Sequence, residues 1–197
     1  MTFGLLFLLQ SILLNAAPLS NSVLAPYGMR LSKAEDWNVE SQVQQEEGRQ
    51  RIQIINLKNS QQKSVIEMTL IGPMDQSQYN ESSRMEKLSV ENLYHPMATP
   101  YPGTISKKST CPKELLNLKQ KISFLGDKTE GLVAKVSARG TFGVCNSQAA
   151  FYDGLFMTYF LKQKYFLRMT IFHEQINPKT LFYKPIQDIL NQFQKSP

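Results

Sequence analysis

Two histidines and two cysteines are all that this chain of 197 residues contains, and that scarcity removes most site chemistry at the outset. His95 and His173 are the only imidazoles. His173-Glu174 looks like the opening of a zinc-protease helix, but no second histidine follows at i+4, so two imidazoles cannot share one helix face. A glycine-rich phosphate loop is missing too, since Gly140-Thr141-Phe142-Gly143 has neither the lysine nor the spacing to cradle a phosphate. A catalytic thiol at Cys145 served by His173 needs a depressed pKa and a base in reach, and the residues Gly143 to Ser147 offer no recognised setting for one. Paired carboxylates for glycoside hydrolysis would have to come from Glu130, Asp153 or Glu174. The expectation is a protein without catalytic residues, metal or cofactor.

Long apolar runs are absent after the first fourteen residues, and there is no Lys or Arg before Arg30. From Phe3 to Leu14 only Gly4, Gln10 and Ser11 interrupt an apolar stretch. That is the length of a signal-peptide core and short of the roughly 20 residues that span a bilayer. Signal peptidase requires small side chains one and three residues before the cut and tolerates proline poorly after it. Ser20-Asn21-Ser22 meets both conditions, whereas cuts after Ala17 or Ala25 leave a proline first. The expected boundaries are a leader over 1–22, a linker over 23–34 and a single domain over 35–197. A retained anchor or a buried helix are the alternatives for the leader, because its positive end is the terminal amine alone. The mature protein is expected to be soluble, without a membrane span, and extracytoplasmic, either periplasmic or secreted.

In an exported domain an even cysteine count points to a disulfide. Cys111 and Cys145 would close a loop of 34 residues, a cross-link worth roughly 3–4 kcal/mol in the chain-entropy model; two separate buried thiols are the alternative. Charge is divided unevenly. Up to residue 100 there are eight Lys/Arg against ten Asp/Glu, and from residue 101 fourteen against six; the halves carry −2 and +8, together +6. Outside the cytosol the anionic partners are lipid head groups, acidic polysaccharides and acidic protein faces, not nucleic acid. Lys107, Lys108, Lys119 and Lys121 flank the first cysteine and are the candidate contact for such a partner; a solvated lysine face is the alternative.

Period-two alternation over Trp37–Val43, Ile52–Leu57 and Ile66–Leu70 predicts three strands in a meander. A helix is expected around 82–93, with Ser82, Ser83 and Glu86 as capping partners. His95-Pro96 and Pro100 to Gly103 mark a surface loop. Cys111-Pro112 could open a short helix through Leu118. Ile122–Phe124 and Leu132–Val136 make a hairpin about a turn over Gly126–Gly131, and Ala138–Gly143 is a bend. Phe151–Leu161 and Tyr165–Phe172, joined at Lys162-Gln163-Lys164, form the clearest hairpin. It is apolar on both faces, so it belongs in the middle of the sheet. After Pro185 the residues Ile186, Ile189, Leu190 and Phe193 make one helical stripe, and burying each is worth about 1.5–3 kcal/mol. The fold class expected is α+β, an antiparallel sheet of six to seven strands with helices on its faces, among them this C-terminal amphipathic helix.

Three stretches, Asp36-Trp37-Asn38-Val39, Tyr165–Ile171 and Pro185–Phe193, resemble the PsbP-type α/β/α sandwich, a family of small, mostly exported antiparallel-sheet domains. The likeness spans 35–197 in outline. It implies a non-enzymatic binding or assembly factor and carries over no functional residues. The expected function is therefore an exported factor of the cell envelope that contacts a protein, a lipid or an anionic polysaccharide. The alternatives are a small secreted hydrolase with an unrecognised site, or a structural subunit of an envelope or secretion assembly with Tyr101 and Tyr159 at an interface.

Overall fold

Alternating burial along each strand sets the architecture, because every second side chain must leave water on the same side. The computed structural model describes residues 19–45, 51–94, 118–137, 151–175 and 183–196. In chain order these form α1 (Leu19–Leu24), β1 (Met29–Leu31), β2 (Asn38–Gln45), β3 (Arg51–Asn59), β4 (Ser64–Gly72), α2 (Gln76–Tyr94), β5 (Leu118–Phe124) and β6 (Asp127–Ser137). They continue as β7 (Phe151–Phe160), β8 (Phe166–Gln175), α3 (Tyr183–Leu190) and β9 (Phe193–Lys195). Seven strands run in the order β2-β3-β4-β8-β7-β6-β5, and β1 pairs with β9 as a separate ribbon. Every pairing is antiparallel. The fold is α+β, and the doubly apolar hairpin β7–β8 occupies the sheet's interior as its composition requires.

One face, here the inner face, is the denser. The cross-strand row Leu57, Ile66, Ile171 and Leu155 is wholly buried. Ile186, Ile189 and Leu190 of α3, Leu24 of α1, and Met29, Leu31 and Phe193 of the β1–β9 ribbon join these sheet residues in one core cluster. The outer face carries α2. There Ser83 Oγ and Thr158 Oγ1 are 2.7 Å apart, and the Tyr79 ring leans on Phe160 and Phe166.

Several expectations change. Residues 23–34 are no linker: Leu24, Tyr27, Met29, Leu31 and Ala34 are core residues. Ser20 and Asn21, which a cut before Val23 would remove, are tied to the same unit. Ser20 Oγ donates to Ala34 O at 3.0 Å. The Asn21 amide serves both backbone groups of Leu31, accepting from its N–H at 2.7 Å and donating to its C=O at 3.2 Å.

The helix expected from 82 begins at Gln76. Asp75 caps it: the Asp75 carboxylate accepts from Gln78 N–H at 2.8 Å, and the Gln78 side chain accepts from Asp75 N–H at 2.9 Å. This reciprocal box satisfies two end donors, so a polar stretch can start a helix. The hairpin turn is tighter than the span Gly126–Gly131. Phe124 already pairs with Asp127 across Leu125-Gly126, whose φ values are 51° and 81°, and a two-residue turn of that hand favours glycine. Phe193 leaves the helical stripe: α3 ends at Leu190, and Phe193 pairs with Leu31 in the ribbon. Among the described residues no helix is long and apolar enough to cross a membrane.

Candidate functional site

At one end of the inner face the apolar rows stop and a polar row begins. Burial alternates along β3 through Ile55, Leu57 and Asn59, and along β4 from Ser64 through Ile66 and Met68. Asn59 is the cross-strand partner of Ser64, Ser64 of His173, and His173 of the β7 position held by Asp153. Alternation therefore sets Asn59, Ser64 and His173 side by side where the Ile, Leu and Met rows of that face end.

Asn59 and Ser64 are each only 2 % exposed. The Asn59 side-chain oxygen accepts from Gln62 N–H at 2.8 Å, which closes the turn between β3 and β4. Its Nδ2 is buried and has no hydrogen-bond partner among the described residues. Ser64 Oγ lies 3.0 Å from Gln62 O and 2.9 Å from His173 Nδ1. A carbonyl has no proton to give, so Ser64 donates to Gln62 O and accepts from His173 Nδ1–H. This assignment leaves Nε2 of the neutral ring as an acceptor. The turn is stitched to β8 beside this row, with Glu174 N–H donating to Lys63 O at 3.0 Å and Lys63 Nζ 3.1 Å from Glu174 Oε2. The corner thus offers one strong donor, Asn59 Nδ2, and one acceptor, His173 Nε2.

The other sequence candidates scatter. Lys119 and Lys121 are both exposed and sit two positions apart on one face of β5, opposite Leu132 and Glu130. Lys107, Lys108, Cys111, Cys145, His95 and Tyr101 lie outside the described residues. Tyr159 belongs to the inner face, its hydroxyl donating to Asp127 Oδ2 and its ring edge-on to Phe124. The three carboxylate positions do not pair. Glu174 falls in the row of Tyr152 and Val136, six residues along β6 from Glu130, a separation of about 20 Å at strand rise. Asp153 has the opposite parity to both and so sits on the other face. Among the described residues no group of three His, Cys, Asp or Glu could hold a metal ion.

Sequence reasoning missed Asn59 and Ser64 as site residues. The legible signal was parity: Asn59 follows Ile55 and Leu57 at strand spacing, and Ser64 precedes Ile66 and Met68 in the same way.

Set against known proteins, the chain matches no family model, no curated protein and no solved structure.

Proposed function

We propose that this protein is an exported, non-enzymatic binding or assembly factor of the cell envelope, and that the corner Asn59–Ser64–His173 holds its partner. The observation that carries the reading is the Asn59 amide nitrogen. An amide donor withdrawn from water without a partner costs about 1–3 kcal/mol, and an incoming carbonyl, carboxylate or phosphate oxygen recovers that loss. Ser64, whose proton is committed to Gln62 O, orients the imidazole beside it and is not set up to attack. The PsbP-type resemblance points the same way.

Export is supported by the leader's composition and by the cysteine pair. The connection bearing Cys145 leaves β6 after Ser137 and returns at Phe151, and Leu118, the first residue of the neighbouring β5, follows Cys111 by seven residues. A disulfide between Cys111 and Cys145 would join the segment before β5 to the connection between β6 and β7. Ser20 and Asn21 belong to the folded unit, so the leader is proposed to end upstream of Leu19. Lys119 and Lys121, with Lys107 and Lys108, are the proposed contact for an anionic surface. Retention on anionic vesicles that falls from low to high salt supports that contact, and retention indifferent to salt removes it.

Pull-down from the native envelope tests the main reading. Asn59→Asp keeps the oxygen that accepts from Gln62 N–H and removes the donor. Wild-type protein is expected to capture a discrete partner, and Asn59→Asp and His173→Ala to lose it with unchanged circular dichroism. Equal capture by all three defeats the reading.

A secreted hydrolase is the second reading, favoured by the 2.9 Å Ser64–His173 contact with Asp153 at the adjoining β7 position. Turnover of an ester, peptide or glycoside substrate that disappears in both Ser64→Ala and His173→Ala would establish it in place of the first.

A further inference from the structure

An open sheet has two edges, and this molecule treats them differently. The β5 edge is occupied. Gln187 of α3 donates its amide to Ser123 O at 3.0 Å and accepts from Ser123 N–H at 3.2 Å, so a side chain stands where the next strand would pair. Lys119 and Lys121 on the same strand add charge, a common way of discouraging edge pairing. The β2 edge has no such occupant, and its one charged side chain, Glu40, is paired with Lys58 of β3 at 3.1 Å. It is eight residues long, contains no Lys, Arg or Pro, and among the described residues its backbone is paired only to β3. Val43 on this strand is 49 % exposed, one of two large apolar side chains left so open among the described residues; the other is Met85 on α2.

We infer that β2 is a self-association edge, and that its occupant is β2 of a second copy, paired antiparallel about a two-fold axis at Ser41. The register follows from parity and charge. Directly opposed residues of an antiparallel pair lie on the same face, so a two-fold pairing must match residues of equal parity. An axis at Glu40 sets that carboxylate against its own copy. An axis at Gln42 sets Val43 against the hydroxyl of Ser41. An axis at Ser41 sets Val43 against Val39 of the second copy, and Glu40 against Gln42. An axis at Val43 sets that valine against its own copy but pairs only residues 41–45 of β2, whereas the axis at Ser41 pairs residues 38–44, covers the exposed valine with an apolar partner and opposes no like charges. Val39 already packs against the core, as does Val23 of α1, so the inner faces of the two copies become continuous there.

Sedimentation velocity on the full chain tests this directly. Wild type and the control Met85→Lys are expected to sediment as dimers that dissociate on dilution, and Val43→Lys as a monomer. Wild type that stays monomeric at every concentration overturns the inference, and so does Val43→Lys that dimerises like the control. The register has its own test. A two-fold axis at Ser41 places that Cα about 4.5–5.5 Å from its copy, within disulfide reach. Ser41→Cys is therefore expected to give a covalent dimer on a non-reducing gel beyond the level of the wild type, and Val43→Cys none. No excess dimer from Ser41→Cys overturns the axis.

Discussion

Starting the polypeptide at Val23 instead of Leu19 removes four residues and should weaken the whole domain. Three hydrogen bonds go with them: Ser20 Oγ to Ala34 O, and both bonds between the Asn21 amide and Leu31. Each is worth about 0.5–1.5 kcal/mol net, and the Ala34 and Leu31 groups lose their partners, so the expected loss is about 2–4 kcal/mol. For a domain of this size that corresponds to roughly 5–15 °C in Tm. With a urea m-value of about 2 kcal/mol/M, it lowers the midpoint by roughly 1–2 M while leaving m unchanged. Trp37 reports the transition, being buried and donating its Nε1–H to Gln192 at 2.9 Å. Chains beginning at Leu19 and at Val23, unfolded side by side under fluorescence, give the comparison. Superimposable curves would show that α1 adds nothing to the folded unit, and would restore the cut before Val23.

Leu190→Ala and Ile186→Ala each empty a fully buried site under the sheet, and each should lower stability by about 2–5 kcal/mol in denaturant titration. Gly131→Ala brings a methyl within 2.6 Å of Leu155 Cδ1 and 3.0 Å of Ile122 Cδ1, so a loss of about 1–3 kcal/mol is expected, read as a lower midpoint with unchanged m. Burial, and then the hydrogen bond to Asp127, raise the Tyr159 pKa above its ordinary 10.0; burial raises that of Tyr27 as well. Neutral tyrosine is favoured in the folded state, so this stability is complete below pH 10 and is lost as pH rises beyond it. Tyr159→Phe should flatten that alkaline fall in the urea midpoint. The same bond from Tyr159, helped by Lys195, holds the Asp127 carboxyl below its ordinary range, a contribution present above that range and lost as pH falls through the lowered value. Tyr159→Phe should therefore also reduce the acid-side loss.

Strands with a clean period were legible because one property, burial on alternate residues, governs both pattern and structure. The hairpin of β7 and β8 is the clearest case: both faces are apolar, and it lies inside the sheet with α3 on one side and α2 on the other. The start of α2 was hidden because Asp75 and Gln78 are polar, and composition does not reveal a reciprocal cap. Phe193 sits at helical spacing from Ile186, yet it is drawn out of the helix by pairing with Leu31, 162 residues earlier. The polar corner was partly legible in the parity of Asn59 and Ser64. That His173 stands beside them was not, because the contact spans 109 residues.

Taken alone, the amino-acid order determined the local facts: where strands alternate, that β7 and β8 are covered on both faces, which end of the chain is leader-like, and which cofactor motifs are missing. Only the tertiary structure decided which residues share a face across strands, that Leu24, Tyr27, Met29, Leu31 and Ala34 belong to the core, and that, among the described residues, one sheet edge is occupied and the other bare and a buried amide stands without a partner. The reason is physical. Local periodicity records what each residue must do with water, whereas long-range pairing is chosen by the summed fit of elements that the chain brings together only when it folds.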